Sequence, residues 1–97
     1  MDPDAARFTG ARFSKAFARD LKRAPSNVRE SALSAVDQLV KGAPRGAQRM
    51  HSLKGYDPKI YKIDILGKAW QVSFSIDGTV LVLRRLATHK TMDRDPQ

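Results

Sequence analysis

The sequence predicts an α+β fold: an N-terminal αα-hairpin packed on one face of a small antiparallel sheet of three to four strands. Three observations predict it. Apolar residues recur at helical spacing between Ala11 and Val40, the second half of the chain breaks into short apolar and β-branched runs, and two-residue glycine turns separate those runs. At 97 residues the chain suits a single domain spanning 1–97, with residues 1–6 and 95–97 expected to be flexible. A domain of this size buries roughly 60 to 65% of its unfolded surface, enough for one modest core.

The elements follow in order. Arg7-Phe8-Thr9 reads as a short edge strand. From Ala11 to Ala24 the apolar residues fall at Phe13, Ala16, Phe17, Leu21 and Ala24, which is helical spacing, and Pro25 interrupts it. Asn27 and Glu30 resemble a capping box and open a second helix that turns Val28, Ala32, Ala35, Val36 and Leu39 inward, with Gly42 as its stop. Neither helix can bury its stripe alone, so the pair must pack on something. Ala43 to Gln48 is a Pro/Gly/Arg loop, and Met50 to Gly55 is a short strand or extended loop.

Three strands follow, Ile60 to Leu66, Ala69 to Ile76 and Thr79 to Leu86, joined by Gly67-Lys68 and Asp77-Gly78. With closing pairs Leu66–Ala69 and Ile76–Thr79, counting outward sets the register. Ile65 then faces Trp70, Ile63 faces Val72 and Tyr61 faces Phe74. On the next strand, Phe74 faces Leu81 and Val72 faces Leu83. These residues share one face, the core face. The other face carries a row of Asp64, Gln71 and Arg84 and a row of Lys62, Ser73 and Val82, completed by Ser75 and Val80. Arg84 either pairs with Asp64 or holds a phosphate bidentately. Arg85 falls on the core face beside Trp70, where it stacks on the indole or is turned outward by a bulge.

The net charge of +8 favours an anionic partner such as nucleic acid, an acidic protein or a membrane surface, and the charge is spread through folded-looking segments. There is no cysteine, hence no disulfide framework and no thiolate zinc site. No metal-ligand spacing is evident, and no metal or cofactor is expected. No segment approaches the ~20 apolar residues of a membrane span, so the expected location is cytoplasmic.

RNA cleavage without a metal needs a base for the ribose 2′-hydroxyl, cations for the charge on the phosphorane, and an acid for the departing 5′-oxygen. His89, Arg84, Lys54 and Lys62 are the catalytic candidates; Lys90, Arg85, His51 and Gln71 are candidates for RNA contact. His89 is the natural acid or base because imidazole titrates near neutrality. Each also has a structural reading. Lys54 reads as a solvated turn lysine, His51 as a residue packed at a strand start, and His89-Lys90 as a strand cap or the start of a short terminal helix.

The order of elements and four local motifs resemble the RelE/ParE superfamily of toxins of bacterial type II toxin–antitoxin systems. The motifs are Phe13-Ser-Lys-Ala-Phe-Ala-Arg-Asp-Leu-Lys-Arg-Ala-Pro25, Leu53-Lys-Gly55, Tyr61-Lys-Ile63, and Thr88-His-Lys90 with Asp93-Arg94 beyond. The resemblance covers roughly residues 7–94. Its RelE and HigB branches imply a ribosome-dependent endoribonuclease that cuts mRNA and stops translation. They also imply a cognate antitoxin, with mRNA and the ribosome as partners. Lys54 matches the lysine of the turn, Lys62 sits where members place a strand arginine, and Arg84 and His89-Lys90 fall where basic catalytic groups lie. His51 looks more like the HigB branch. The chain departs from the RelE pattern twice: Gln71 stands where an arginine is common, and no C-terminal tyrosine is present. The competing implications are a ParE-like toxin that poisons DNA gyrase without cutting RNA, and a non-catalytic nucleic-acid-binding module.

Overall fold

Ser14 decides where the first helix starts. Its backbone is extended and its Oγ accepts a hydrogen bond from the Phe17 amide at 3.0 Å, an N-cap that opens α1 (Lys15–Arg23). The preceding residues leave the helix pattern and form β1 (Gly10–Phe13) instead. In this computed structural model, residues 9–41, 51–53, 55, 59–67 and 69–94 are described, with 51–53 and 93 described by their backbone alone. Arg7, Phe8 and both chain ends lie outside that set.

The remaining elements are α2 (Ser26–Val40), β2 (His51–Leu53), β3 (Ile60–Ile65), β4 (Trp70–Asp77), β5 (Val80–Thr88) and α3 (His89–Arg94). The α+β class stands. The sheet is larger than expected, with five strands in the order β1-β5-β4-β3-β2, and it is mixed: β1 runs parallel to β5 while the other pairs are antiparallel. The helix expected from Ala11 therefore loses its first turn to the sheet. Asn27 is not the cap of α2. Pro25 takes that position with no side-chain cap bond, and Asn27 lies within the first turn. Proline suits a helix entry because its fixed φ is already helix-compatible.

The first hairpin has the expected register, with Ile65 opposite Trp70, Ile63 opposite Val72 and Tyr61 opposite Phe74. The second does not. Asp77 closes on Val80, so the loop is Gly78-Thr79, and Phe74 pairs with Leu83 instead of Leu81. Gly78 alone supplies the positive φ (61°), as the first central residue of a type II′ turn requires. A bulge follows between Ser73 and Phe74, and beyond it Ser73 lies opposite Arg85 and Val72 opposite Leu86. Displacing the partner by two residues keeps each side chain on its face; the bulge then adds one residue to β5.

One cluster joins the two helices to the sheet. Phe17, Leu21, Val28, Ala32, Val36 and Leu39 meet Ile63, Val72, Phe74, Leu81, Leu83 and Leu86. A smaller set of buried apolar residues, Ile60, Val82, Ala87 and Met92, stands outside it. Alternation puts the first three on the opposite face, and α3, which carries Met92, packs on β4 and β5. No helix among the described residues is long and apolar enough to cross a membrane.

Candidate active site

The bulge in β5 is the feature that arranges the cations. In a regular strand, Leu83 and Arg85 would share a face and Arg84 and Leu86 the other. Here Arg85 and Leu86 both serve the helix side: Leu86 is in the core, and Arg85 Nε donates to Asp20 Oδ2 on α1 at 2.7 Å. The Leu86 amide donates to the same carboxylate oxygen at 3.0 Å. Arg84 is the extra residue of the bulge, between Leu83 opposite Phe74 and Arg85 opposite Ser73, and it is absent from the core cluster.

Two α1 groups hold this distortion. Asp20 takes up Arg85 and the Leu86 amide, with side chains only 11% and 18% exposed across the ion pair. The Ser14 hydroxyl donates to the Arg84 carbonyl at 3.0 Å, and the Ser14 amide donates to the Leu83 carbonyl at 3.0 Å. A bulge leaves backbone groups without ladder partners, and buried polar groups without partners are costly. Asp20 and Ser14 supply those partners.

Across the sheet, the row through Ser73 runs from His51 to Lys62 to Ser73 and on to the bulge at Arg84-Arg85. Lys62 and Arg84 are both half-buried. They stand two strands apart, about 10 Å at the backbone, with the fully buried Ser73 between them. Among the described residues, the Arg84 guanidinium has no hydrogen-bond or ion-pair partner; Lys62 does have one.

The expected row of Asp64, Gln71 and Arg84 does not form, because the bulge puts Ala87 opposite Gln71. Val82 likewise lies opposite Ser75 and not Ser73. Asp64 takes Gln71 as its partner, the Gln71 amide donating to Asp64 Oδ1 at 2.7 Å, so Arg84 is not locked to Asp64. Gln71 is only 1% exposed, and its Oε1 has no partner among the described residues. The centre of this face is thus less open than alternation suggested: Asp64, Gln71, Ser73 and Ser75 are all buried.

The other candidates fall in three places. His89 and Lys90 open α3 and are exposed, behind a Thr88 hydroxyl that accepts from the Thr91 amide at 3.5 Å. Of the two readings for this pair, the start of a terminal helix is the one seen. Arg85 is on the helix side with Asp20. Lys54 lies outside the described residues, and His51 is placed only by its backbone, opposite Lys62. Among the described residues no group of His, Asp and Glu side chains could hold a metal ion.

Sequence reasoning missed Ser14 and Asp20. A signal for Asp20 was present: it is the single carboxylate between Ala11 and Ala24, among five basic residues. A lone acid in such a setting points inward to a specific cation more readily than outward. Arg12 was also missed as a member of this face; β1 brings it opposite Val82, where it pairs with Asp77 at 3.5 Å in an exposed contact.

No family model and no curated protein matches the sequence. Solved structures do match the fold. A chain of the RelB–RelE antitoxin–toxin complex from Methanococcus jannaschii superposes with a TM-score of 0.64 at 19% identity, over 86% of this chain and 95% of that one. The isolated E. coli RelE toxin gives 0.63 at 18% identity, over 92% and 98%. A chain of the E. coli DinJ–YafQ toxin–antitoxin complex gives 0.60 at 15% identity, over 84% and 93%. The chain has the RelE-like toxin fold.

Proposed function

We propose that this chain is the toxin of a type II toxin–antitoxin system and acts as an endoribonuclease on mRNA at the ribosome, stopping translation. The observation that carries this reading is the row in which Lys62 lies opposite Ser73 and Ser73 opposite the bulge whose extra residue is Arg84, a half-buried cation with no partner among the described residues. The fold supports the toxin assignment. The complexes in which neighbouring chains are solved support a cognate antitoxin as partner. With mRNA and the ribosome as targets, the reading carries a cytoplasmic location.

In this reading the scissile phosphate rests between Lys62 and Arg84. A base removes the proton of the 2′-hydroxyl, and the 2′-oxygen attacks phosphorus. The bond to the 5′-oxygen breaks and that oxygen takes a proton, leaving a 2′,3′-cyclic phosphate and a 5′-hydroxyl. Lys62 and Arg84 stabilise the charge that builds on the phosphorane; preorganised cations do this more effectively where water is partly excluded. His89 is assigned the proton-transfer role, and Lys54, Lys90 and His51 are assigned to the rim. No metal or cofactor enters the scheme. The buried Gln71 serves as the partner of Asp64, leaving Arg84 available for the phosphate.

The test is induced expression followed by primer-extension mapping of mRNA. Discrete cuts should appear with the native chain, fall about 100-fold with Arg84→Ala or Lys62→Ala, and vanish with His89→Ala. Intact mRNA accompanied by gyrase-dependent DNA breaks would replace the nuclease with a gyrase poison on the same scaffold.

A further inference from the structure

The outer side of α1 carries a second set of cations, remote from Lys62 and Arg84. Its exposed residues are Lys15, Ala18, Arg19, Lys22 and Arg23. The helix's one acid, Asp20, is turned inward to Arg85. Lys15, Arg19 and Arg23 follow each other at four-residue steps, a rise of about 6 Å each. Basic residues in a last helical turn ordinarily complement the free carbonyls there. In α1 that duty falls to Arg29 of α2, whose Nε donates to the Leu21 carbonyl at 2.9 Å and whose Nη2 donates to the Ala24 carbonyl at 3.0 Å. Lys22 and Arg23 are not needed for it.

The cationic row ends at a cavity of ≈ 220 Å³ lined by Arg23, Trp70, Arg85, Thr88 and Thr91 among others. Trp70 is half-buried there. The Asp20 carboxylate at the same place is balanced by Arg85, so the cavity keeps the positive charge of Arg23. A charged track leading to an aromatic ring is how proteins hold single-stranded nucleic acid: cations follow the phosphates, and a base stacks on the π-face. An acidic amphipathic protein helix would need an apolar strip to bury, and the exposed row offers nothing larger than Ala18.

We propose that the α1 side is a second single-stranded RNA surface, with phosphates along Lys15, Arg19, Lys22 and Arg23 and one base entering the cavity beside Trp70. This surface is distinct from the cleaving face, on the other side of the sheet, and binding there does not depend on cleavage. It would hold the strand at a fixed offset from the cut.

Trp70 is the only tryptophan in the chain, so its fluorescence reports this cavity directly. Titrating the purified chain with a 2′-O-methyl uridine 12-mer, which lacks the attacking hydroxyl, should give saturable quenching. The triple variant Lys15→Gln/Arg19→Gln/Arg23→Gln should raise the midpoint at least about tenfold and reduce the salt slope by about two, the loss of three phosphate contacts on a single strand. Its circular dichroism should be unchanged, since glutamine is a good helix former. The control Lys41→Gln, an exposed cation beyond α2 and on neither surface, should leave the midpoint within about twofold. Absence of quenching, a midpoint indifferent to the triple variant, or an equal shift caused by the Lys41 control would overturn the proposal. Stronger quenching by a polyglutamate peptide of the same length would overturn it in favour of an acidic protein partner.

Discussion

Phe74 and Ser73 are neighbours on β4, and both have 0% exposure. Phe74 looks into the helix-covered face, stacked on Tyr61 with ring centroids 5.5 Å apart and surrounded by apolar side chains from two helices and the sheet. Ser73 looks the other way, among Lys62, Arg84 and the buried polar group of Asp64, Gln71 and Ser75. The first face is closed by hydrophobic burial, which is non-directional and tolerates any shape that fills the space. The second is closed by polar groups whose partners must be supplied one by one. The difference teaches where this protein stores stability and where it stores chemistry. They are one residue apart in sequence and on opposite sides of a single sheet.

Substitutions should separate the two faces. The largest effect belongs to the apolar one: Phe74→Ala should cost about 4 kcal/mol in urea unfolding, as transfer loss and cavity formation add. Next is the link between the faces. Asp20→Ala should cost about 3 kcal/mol, because it removes the carboxylate that Arg85 and the Leu86 amide share in a nearly buried place; the same variant should reduce cleavage, since the bulge that carries Arg84 loses its clamp. Arg84→Ala should do the reverse of Phe74→Ala. It should shift stability by no more than about 0.5 kcal/mol while lowering cleavage about 100-fold. If Arg84→Ala unfolds the chain as Phe74→Ala does, the division between the faces fails. Ser14→Ala should cost about 1.5 kcal/mol, between Asp20→Ala and Arg84→Ala in stability, combining the lost cap of α1 with the lost bond to the Arg84 carbonyl. Thermal melts of the four variants side by side would rank them.

The apolar face was the legible one. The helical stripe of Val28, Ala32, Val36 and Leu39 and the register of Tyr61, Ile63 and Ile65 could be read from period and turn, because the first hairpin closes where its glycine turn indicates and counting outward then fixes each pair. The register of β5 was not legible. Shifting the turn to Gly78-Thr79 displaces the partner by two residues and preserves the pattern of apolar positions, so it leaves no mark in it, and the inserted residue near Ser73 leaves little. The one trace was Arg84-Arg85, two charges in succession within an apolar strand, which regular alternation could not place comfortably. β1 was misread for a different reason: Ala11 and Phe13 fit the helical period, and the strand exists only because β5, 70 residues later, offers it a parallel edge. The candidate site was legible in its parts, Lys62 and Arg84, but not in the row that joins them. That row is set by the bulge, and the bulge is set by Asp20 and Ser14 on another element.

That parallel edge has a consequence for the order in which the protein is made. β5 is the last strand synthesised, yet it lies inside the sheet, between β1 and β4. β1 is made some 70 residues before its partner and has no strand to pair with until residues 80–83 follow it. Contacts of such long sequence separation form late and slowly. Ser14 and Asp20 wait on the same event, since the groups they hold belong to β5. A nascent or truncated chain ending before Val80 has neither its first strand nor its bulge, and it lacks Arg84 altogether. Completion of the sheet and assembly of the cationic row are therefore one step, taken when β5 arrives.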